Sequence, residues 1–180
     1  MAKSMIDLKP RETEYRGIRY RSKCEAMFAM CMDLNAECRA LNGVFADGKY
    51  RSRFCFVYEP EWFKHVTGLV PDFIEGFATY DRATAPRIKF AVIEYKPAHP
   101  STTHLKEWAE KSRELYETIL AKRGGKLTFD LEFLLYYGSV FTNERSVLSC
   151  ESPDWIVSDY DYDWIERYEN EVRAYRFDLK

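Results

Sequence analysis

Acidic side chains occur at three places where the neighbouring residues are apolar. Asp72 stands in VPDFI, Glu94 stands in VIEYK two residues before Lys96, and Glu25 lies near the start of an apolar helical segment. Because strand side chains at i and i+2 point to one face, Glu94 and Lys96 are expected to project together. A buried charge is costly unless it is paired or bound to a metal ion, so these positions are the first candidates for chemistry.

These residue types suit metal-assisted hydrolysis of a phosphate ester. Asp72 and Glu94 on neighbouring strands would offer the hard oxygen ligands that Mg²⁺ prefers. Lys96 could then position or deprotonate a water and offset charge that develops on a phosphoryl group. Purely structural roles are the open alternatives. Glu25 could be nothing more than the capping-box partner of Ser22, and Glu94 with Lys96 could be a structural ion pair.

The apolar pattern around these residues predicts a mixed α/β fold. The centre of 88–96 is apolar on both faces, which indicates a central strand, whereas 77–87 contains turn residues and is expected to be a loop. Asp47-Gly48 predicts a hairpin turn. In chain order the expected core elements are a helix over 22–40, strands over 53–59, 68–75 and 88–96, a helix from 101 to about 123, and a strand over 127–137. This order predicts a mixed β-sheet core flanked by helices.

The chain is expected to form one domain over 1–150 with an extension over 151–180. The extension carries nine acidic and four basic side chains and the run DYDYDW at 159–164, with a short helix expected over 163–173. We expect it to pack on the same domain, although a partner or dimer interface is the open alternative.

Composition excludes several classes of protein. The chain has 180 residues and a net charge of −2, and no apolar run reaches the roughly 18 residues of a membrane span, so no membrane association is expected. The five cysteines form no CxxC pair and the first residues lack a secretory apolar run. Both observations favour a cytoplasmic protein with reduced thiols.

Taken in chain order, these motifs resemble a known superfamily. Pro71-Asp72 followed by Glu94-Tyr95-Lys96 is similar to the PD-(D/E)xK signature of the restriction-endonuclease-like nucleases. YRGIRYRSKCEA at 15–26 and YEPE at 58–61 resemble segments of TnsA-type transposase subunits and small phage endonucleases, in which a helix supplies a further glutamate. The resemblance covers about residues 15–120.

The resemblance implies a Mg²⁺-dependent (or Mn²⁺-dependent) DNA endonuclease of phage or bacterial origin. Asp72 and Glu94 would hold the metal, Glu25 would complete the site, and Lys96 would serve the attacking water during phosphodiester hydrolysis. The alternative is a non-catalytic or partner-dependent subunit that has the same fold and binds another protein or a second copy of the chain.

Basic residues near these motifs are the expected contacts to the DNA backbone, since phosphates are bound mainly by arginine and lysine. On charge alone, a solvated and slightly basic face is the simpler interpretation. The candidates are Arg16, Arg19, Arg21, Lys23, Lys49, Arg51, Arg53 and Lys106.

Overall fold

The computed structural model describes residues 10–42, 50–81, 84–98, 100–137, 146–151, 155–156 and 178–179. Within these ranges the chain forms three helices and nine strands. The helices are α1 (Lys23–Asn42), α2 (Glu61–Thr67) and α3 (Thr102–Lys122). The strands are β1 (Thr13–Tyr15), β2 (Ile18–Tyr20), β3 (Tyr50–Tyr58), β4 (Phe73–Asp81), β5 (Thr84–Lys96), β6 (Asp130–Tyr137), β7 (Ser146–Glu151), β8 (Trp155–Ile156) and β9 (Asp178–Leu179).

The strands form two sheets. The larger sheet has the order β3-β4-β5-β6-β7-β8, and its β5–β6 pair is parallel while its other pairs are antiparallel. The parallel pair requires a crossover, which α3 provides. The smaller sheet, β2-β1-β9, is antiparallel. The predicted α/β class with a mixed sheet is therefore confirmed.

The central strand β5 separates two apolar cores because its side chains alternate between the faces of the sheet. Ala91, Ile93 and Tyr95 are buried against α1, where Phe28 stacks on Tyr95 at a ring distance of 4.6 Å. On the other face Val92 packs with residues of α3 and β6. Helices thus cover both faces of β5, as its apolar centre predicted.

Both long helices begin at the predicted caps. Ser22 and Glu25 form a capping box, in which each side chain accepts the other residue's backbone N–H at 3.2 Å. Ser101 caps α3 by accepting the His104 N–H at 3.2 Å. After α3 the chain turns at Gly124, whose φ of +70° favours glycine.

Two sequence predictions are wrong between β3 and β5. The strand predicted over 68–75 begins only at Phe73, because a helix, α2, precedes it and ends at Gly68 with a left-handed φ of +80°. Residues 77–81 and 84–87 are not a loop: they belong to β4 and β5, which form a long hairpin in which Thr79 pairs with Arg87 and Asp81 pairs with Thr84. Strand pairing here overrides the local preference of the turn residues.

Other predictions lie outside the described residues, namely the Asp47-Gly48 turn, the 159–164 run and the 163–173 helix. The described pieces of the C-terminal region join both sheets, since β8 pairs with β7 and β9 pairs with β1. None of the helices in the described ranges is long and apolar enough to cross a membrane.

Candidate functional site

Asp72 and Glu94 come together at one end of the β4–β5 pair. Phe73 lies opposite Ile93 in antiparallel register, so the residue before Phe73 and the residue after Ile93 are brought side by side. Asp72 is not inside a strand, as the sequence had suggested, but immediately precedes β4. The hairpin register therefore brings the acidic residues of the two motifs together.

The Asp72 carboxylate is buried, with only 6% of its side chain exposed. One oxygen, Oδ2, accepts the Tyr95 backbone N–H at 2.8 Å and lies 3.9 Å from Lys96 Nζ. The other oxygen, Oδ1, accepts from Arg21 Nη2. The sheet fixes one oxygen of Asp72, while the other faces a cation.

Glu94 and Lys96 project to the same side of β5, as the strand period predicted, and Lys96 Nζ contacts Glu94 Oε1. Burial and the neighbouring charge of Asp72 raise the pKa of Glu94, and the ion pair with Lys96 opposes that shift. Lys96 keeps about a third of its side chain exposed and so remains accessible to water.

Glu25 both caps α1 and belongs to the same group of charged side chains as Asp72, Glu94 and Lys96, called the acidic cluster below. Its Oε2 accepts a hydrogen bond from the Tyr58 hydroxyl at 2.9 Å, and its Oε1 lies 3.2 Å from Arg21 Nη2. One side chain therefore caps the helix and also faces Asp72, as predicted. Arg21 bridges the carboxylates of Glu25 and Asp72.

Arg21 occupies the middle of this arrangement. Its guanidinium contacts the carboxylates of Glu25, Glu59 and Asp72, with Nε 2.8 Å from Glu59 Oε1. Its backbone N–H also donates to the Tyr58 hydroxyl at 3.0 Å. Its Nε donates to the same hydroxyl at 3.3 Å. Burial alone would lower the pKa of Arg21, but this side-chain hydrogen bond and the three carboxylates together raise it above its usual value.

Tyr58 and Glu59 belong to the site although they were not among the predicted site residues. Glu59 adopts a left-handed φ of +42°, uncommon for a residue with a side chain, and its N–H donates to the Asp72 carbonyl at 2.9 Å. Burial raises the pKa of Tyr58 to about 12, while Arg21 lowers it and Glu25 raises it. The resemblance of YEPE marked this segment, but the strand predicted over 53–59 ends at Tyr58, where the chain bends into α2.

Aromatic rings packed in tilted pairs position the segment before α1. Tyr20 packs on Tyr58 at a ring distance of 4.5 Å, and Tyr58 packs on buried Phe73 at 5.3 Å. These rings fix the end of β2 against the ends of β3 and β4. Arg21 follows Tyr20 directly, so the same packing places its guanidinium over Asp72.

The donor chemistry of the cluster fits a hard divalent cation, because Asp72, Glu94 and Glu25 supply carboxylate oxygens. In the described part of the chain, however, no three acidic, histidine or cysteine side chains are grouped closely enough to hold a metal ion. The guanidinium of Arg21 lies between Glu25 and Asp72. Glu25 could thus join Asp72 around an ion only after Arg21 moves.

Three of the predicted DNA contacts are engaged with carboxylates of the protein, and Arg21 is one of them, as described above. Arg16 pairs with Glu37 at 2.8 Å and with Asp33 at 3.2 Å, and Arg53 pairs with the other oxygen of Asp33. Only 19% of the Arg53 side chain is exposed, so in this structure it is not presented to a phosphate.

The remaining predicted DNA contacts divide into exposed and undescribed positions. Lys49 and the side chain of Arg51 lie outside the described part of the chain. The exposed positions are Arg19, Lys23 and Lys106.

A cavity of about 200 Å³ opens beside Glu94, between β5 and α3. Its apolar wall includes Val92, Trp108 and Phe133, and Lys111 also lines it. The acidic cluster therefore borders open space on the α3 side of the sheet.

No protein-family model matches the chain, and no curated protein matches it. Among solved structures, the chain is similar to the crystal structure of the sex pheromone staph-cAM373 precursor, with 10% sequence identity and a TM-score of 0.41. The likeness covers 77% of this chain and 54% of that one, so the chain spans about half of that protein's length.

Proposed function

We propose that the protein is a metal-dependent phosphodiester hydrolase that cuts DNA. One observation carries the proposal: Asp72, Glu94, Lys96 and Glu25, which the sequence singled out from three separate segments, converge on one cluster at the end of the β4–β5 pair. Titratable groups that are perturbed by burial and by a specific charge partner are candidates for a functional site, and Glu94 is such a group.

Asp72 and Glu94 would hold Mg²⁺ or Mn²⁺, with Glu25 as a further ligand. The ion, when bound, would supply Lewis-acid activation of the phosphate and a more acidic water. Lys96 would hold the attacking water by a hydrogen bond and offset negative charge that develops on the phosphate oxygens. Tyr95 contributes through its backbone N–H, which orients the Asp72 carboxylate.

One observation favours a second candidate, a non-catalytic subunit that binds another protein. Each carboxylate of the cluster already has a cationic partner: Arg21 contacts Glu25 and Asp72, and Lys96 contacts Glu94. A paired network of this kind can serve structure alone. The two candidates differ in whether the purified chain binds a divalent cation.

Cleavage assays test the proposal. The purified chain is incubated with linear, nicked, branched and single-stranded DNA in Mg²⁺ or Mn²⁺, beside Glu94→Gln and Lys96→Ala. We expect each variant to lose at least about 10²-fold in rate, because each removes a charged group from the reaction site. Glu110→Gln and Lys126→Ala, at exposed positions away from the cluster, are the matched controls.

Two results would contradict the proposal. Cleavage that survives in both site variants would place the reaction elsewhere in the chain. A wild-type protein that cuts none of these substrates and shows no calorimetric Mn²⁺ binding would favour the non-catalytic subunit.

A further inference from the structure

Arg21 holds the position that a metal ion would need. Its side chain is 57% exposed, yet its guanidinium reaches three carboxylates, those of Glu25, Glu59 and Asp72. The carboxylates of Glu25 and Asp72 are nearly buried, with 12% and 6% of their side chains exposed, so loss of the guanidinium would leave charges that need another cation. Arg21 itself keeps access to water and can move into solvent when another cation takes its place.

The charges of the cluster are unbalanced. Over the described contacts, four carboxylates (Glu25, Glu59, Asp72 and Glu94) face two cationic side chains, Arg21 and Lys96. When all six groups are ionised, two negative charges remain uncompensated, which is the charge of one divalent cation.

We propose that Arg21 is a built-in counter-cation, which stabilises the carboxylates in the metal-free protein and must be displaced before a divalent cation binds. This inference rests on the proposed metal site. A divalent ion brings twice the charge of a guanidinium into the same space, so the two compete directly. Displacement removes Arg21 from between Glu25 and Asp72 and frees both for the ion.

The location of Arg21 allows this exchange without unfolding. It lies between β2 and α1, and the Tyr20 ring before it and the Ser22–Glu25 capping box after it hold the backbone on either side. The guanidinium can thus swing into solvent while its Cα stays in place. A freed guanidinium beside the site offers a planar, bidentate donor that suits a phosphate. Loading of the ion and capture of the substrate phosphate would then be coupled through one side chain.

Metal affinity measured without substrate tests the proposal. Isothermal titration of Mn²⁺ is carried out on wild type, Arg21→Gln and Arg21→Lys. We expect Arg21→Gln to bind Mn²⁺ at least about tenfold more tightly, because its carboxylates have no competing cation. Arg21→Lys should fall between the two, since a point charge cannot contact three carboxylates at once. Arg123→Gln is the charge-matched control, at the far end of the 21-residue α3.

Thermal melting in a chelator supplies the second readout. Without metal, Arg21→Gln should melt at a lower temperature than wild type, and saturating Mn²⁺ should raise its melting temperature by more than it raises that of wild type. If Arg21→Gln does not fold, Arg21→Lys still decides the question, because tighter Mn²⁺ binding than wild type is expected of it as well.

The outcomes separate this inference from the function on which it rests. Wild type that binds Mn²⁺ while Arg21→Gln and Arg21→Lys bind it equally well or more weakly would overturn the role of Arg21 and leave the metal site standing. An absence of Mn²⁺ binding in all variants, including Arg123→Gln, would overturn both.

Discussion

Two arginine–carboxylate clusters lie along α1, and they are built in opposite ways. In the site cluster (Arg21, Glu25, Glu59, Asp72, Glu94 and Lys96) one guanidinium is shared by three carboxylates. In the Arg53 cluster (Arg16, Asp33, Glu37, Arg53 and Glu75) two guanidinium groups converge on one carboxylate, that of Asp33. In the site cluster one cation is divided among three acids, whereas each oxygen of Asp33 has its own guanidinium, although both arginines also contact a second acid, Glu37 or Glu75. The first arrangement suits exchange of cations and the second suits stability.

The largest expected effect lies in the Arg53 cluster. Asp33→Ala should lower the free energy of unfolding by about 3 kcal/mol, because it leaves the largely buried Arg53 without its main partner. Urea denaturation measures this loss. Calorimetric Mn²⁺ affinity should not change, since Asp33 lies eight residues beyond Glu25 on α1, roughly 12 Å away along the helix axis.

Asp33→Asn serves as the matched variant, since it keeps an oxygen acceptor for one guanidinium and should lose less stability than Asp33→Ala. An alanine variant as stable as wild type, or one with altered Mn²⁺ affinity, would remove the distinction between the two clusters.

A smaller loss is expected at Gly76, opposite the β-bulge between Arg53 and Cys55. A Cβ at Gly76 would lie 2.6 Å from Cys55 Sγ and 2.8 Å from the Phe54 ring. Gly76→Ala should therefore cost about 1–3 kcal/mol through overpacking. Thermal or urea unfolding measures the cost, and Cys55→Ala in the same chain should recover part of it by making room. Additive losses in the double variant would show that Cys55 is not the obstacle.

The smallest effect concerns pH and sharpens the description of the site cluster. The pKa of Glu94 is raised above its ordinary 4.5, so the native state binds this proton more tightly than the unfolded chain does. Stability contributed by Glu94 therefore falls as pH rises from about 4.5 through the native pKa. In a chelator, Glu94→Gln should gain stability relative to wild type across this interval.

Melting temperatures of both proteins between about pH 4.5 and pH 7.5 test this expectation. Glu110→Gln, at an exposed position of α3, controls for the loss of one negative charge. A Glu94→Gln variant that loses stability relative to wild type as pH rises would mean that the pair with Lys96 outweighs burial and the repulsion from Asp72.

The sequence predicted best those helices whose ends are marked by residues within or next to the helix itself. α1 begins at its capping box of Ser22 and Glu25, and α3 begins at Thr102, directly after the Ser101 cap, and ends before Gly124, because caps and glycines act over a few residues. The closeness of Asp72 and Glu94 could also be predicted from the sequence. Each lies near the end of one of two neighbouring strands, and pairing of those strands brings the two ends together. The chemical roles of these residues stay predictions.

Other features depend on contacts that are not encoded locally. α2 has seven residues, too few to show a period, and its strongest signal is the left-handed Gly68 that ends it. Arg21 looked like one basic residue among many before α1. Its place in the site is set by Asp72, 51 residues away, and by the bend at Glu59. Arg21, Glu59 and Asp72 come together only when the sheet has assembled.

The hydrogen bond from the Tyr95 amide to Asp72 gives the site a spectroscopic handle. That amide proton is bound to an oxygen of the same carboxylate that faces Arg21, so its resonance senses the charge around Asp72. In a ¹⁵N-labelled sample, a diamagnetic divalent ion added to the protein would shift the Tyr95 cross-peak. The backbone of β5 thus reports the electrostatic state of the cluster without a chemical probe attached to any of its side chains.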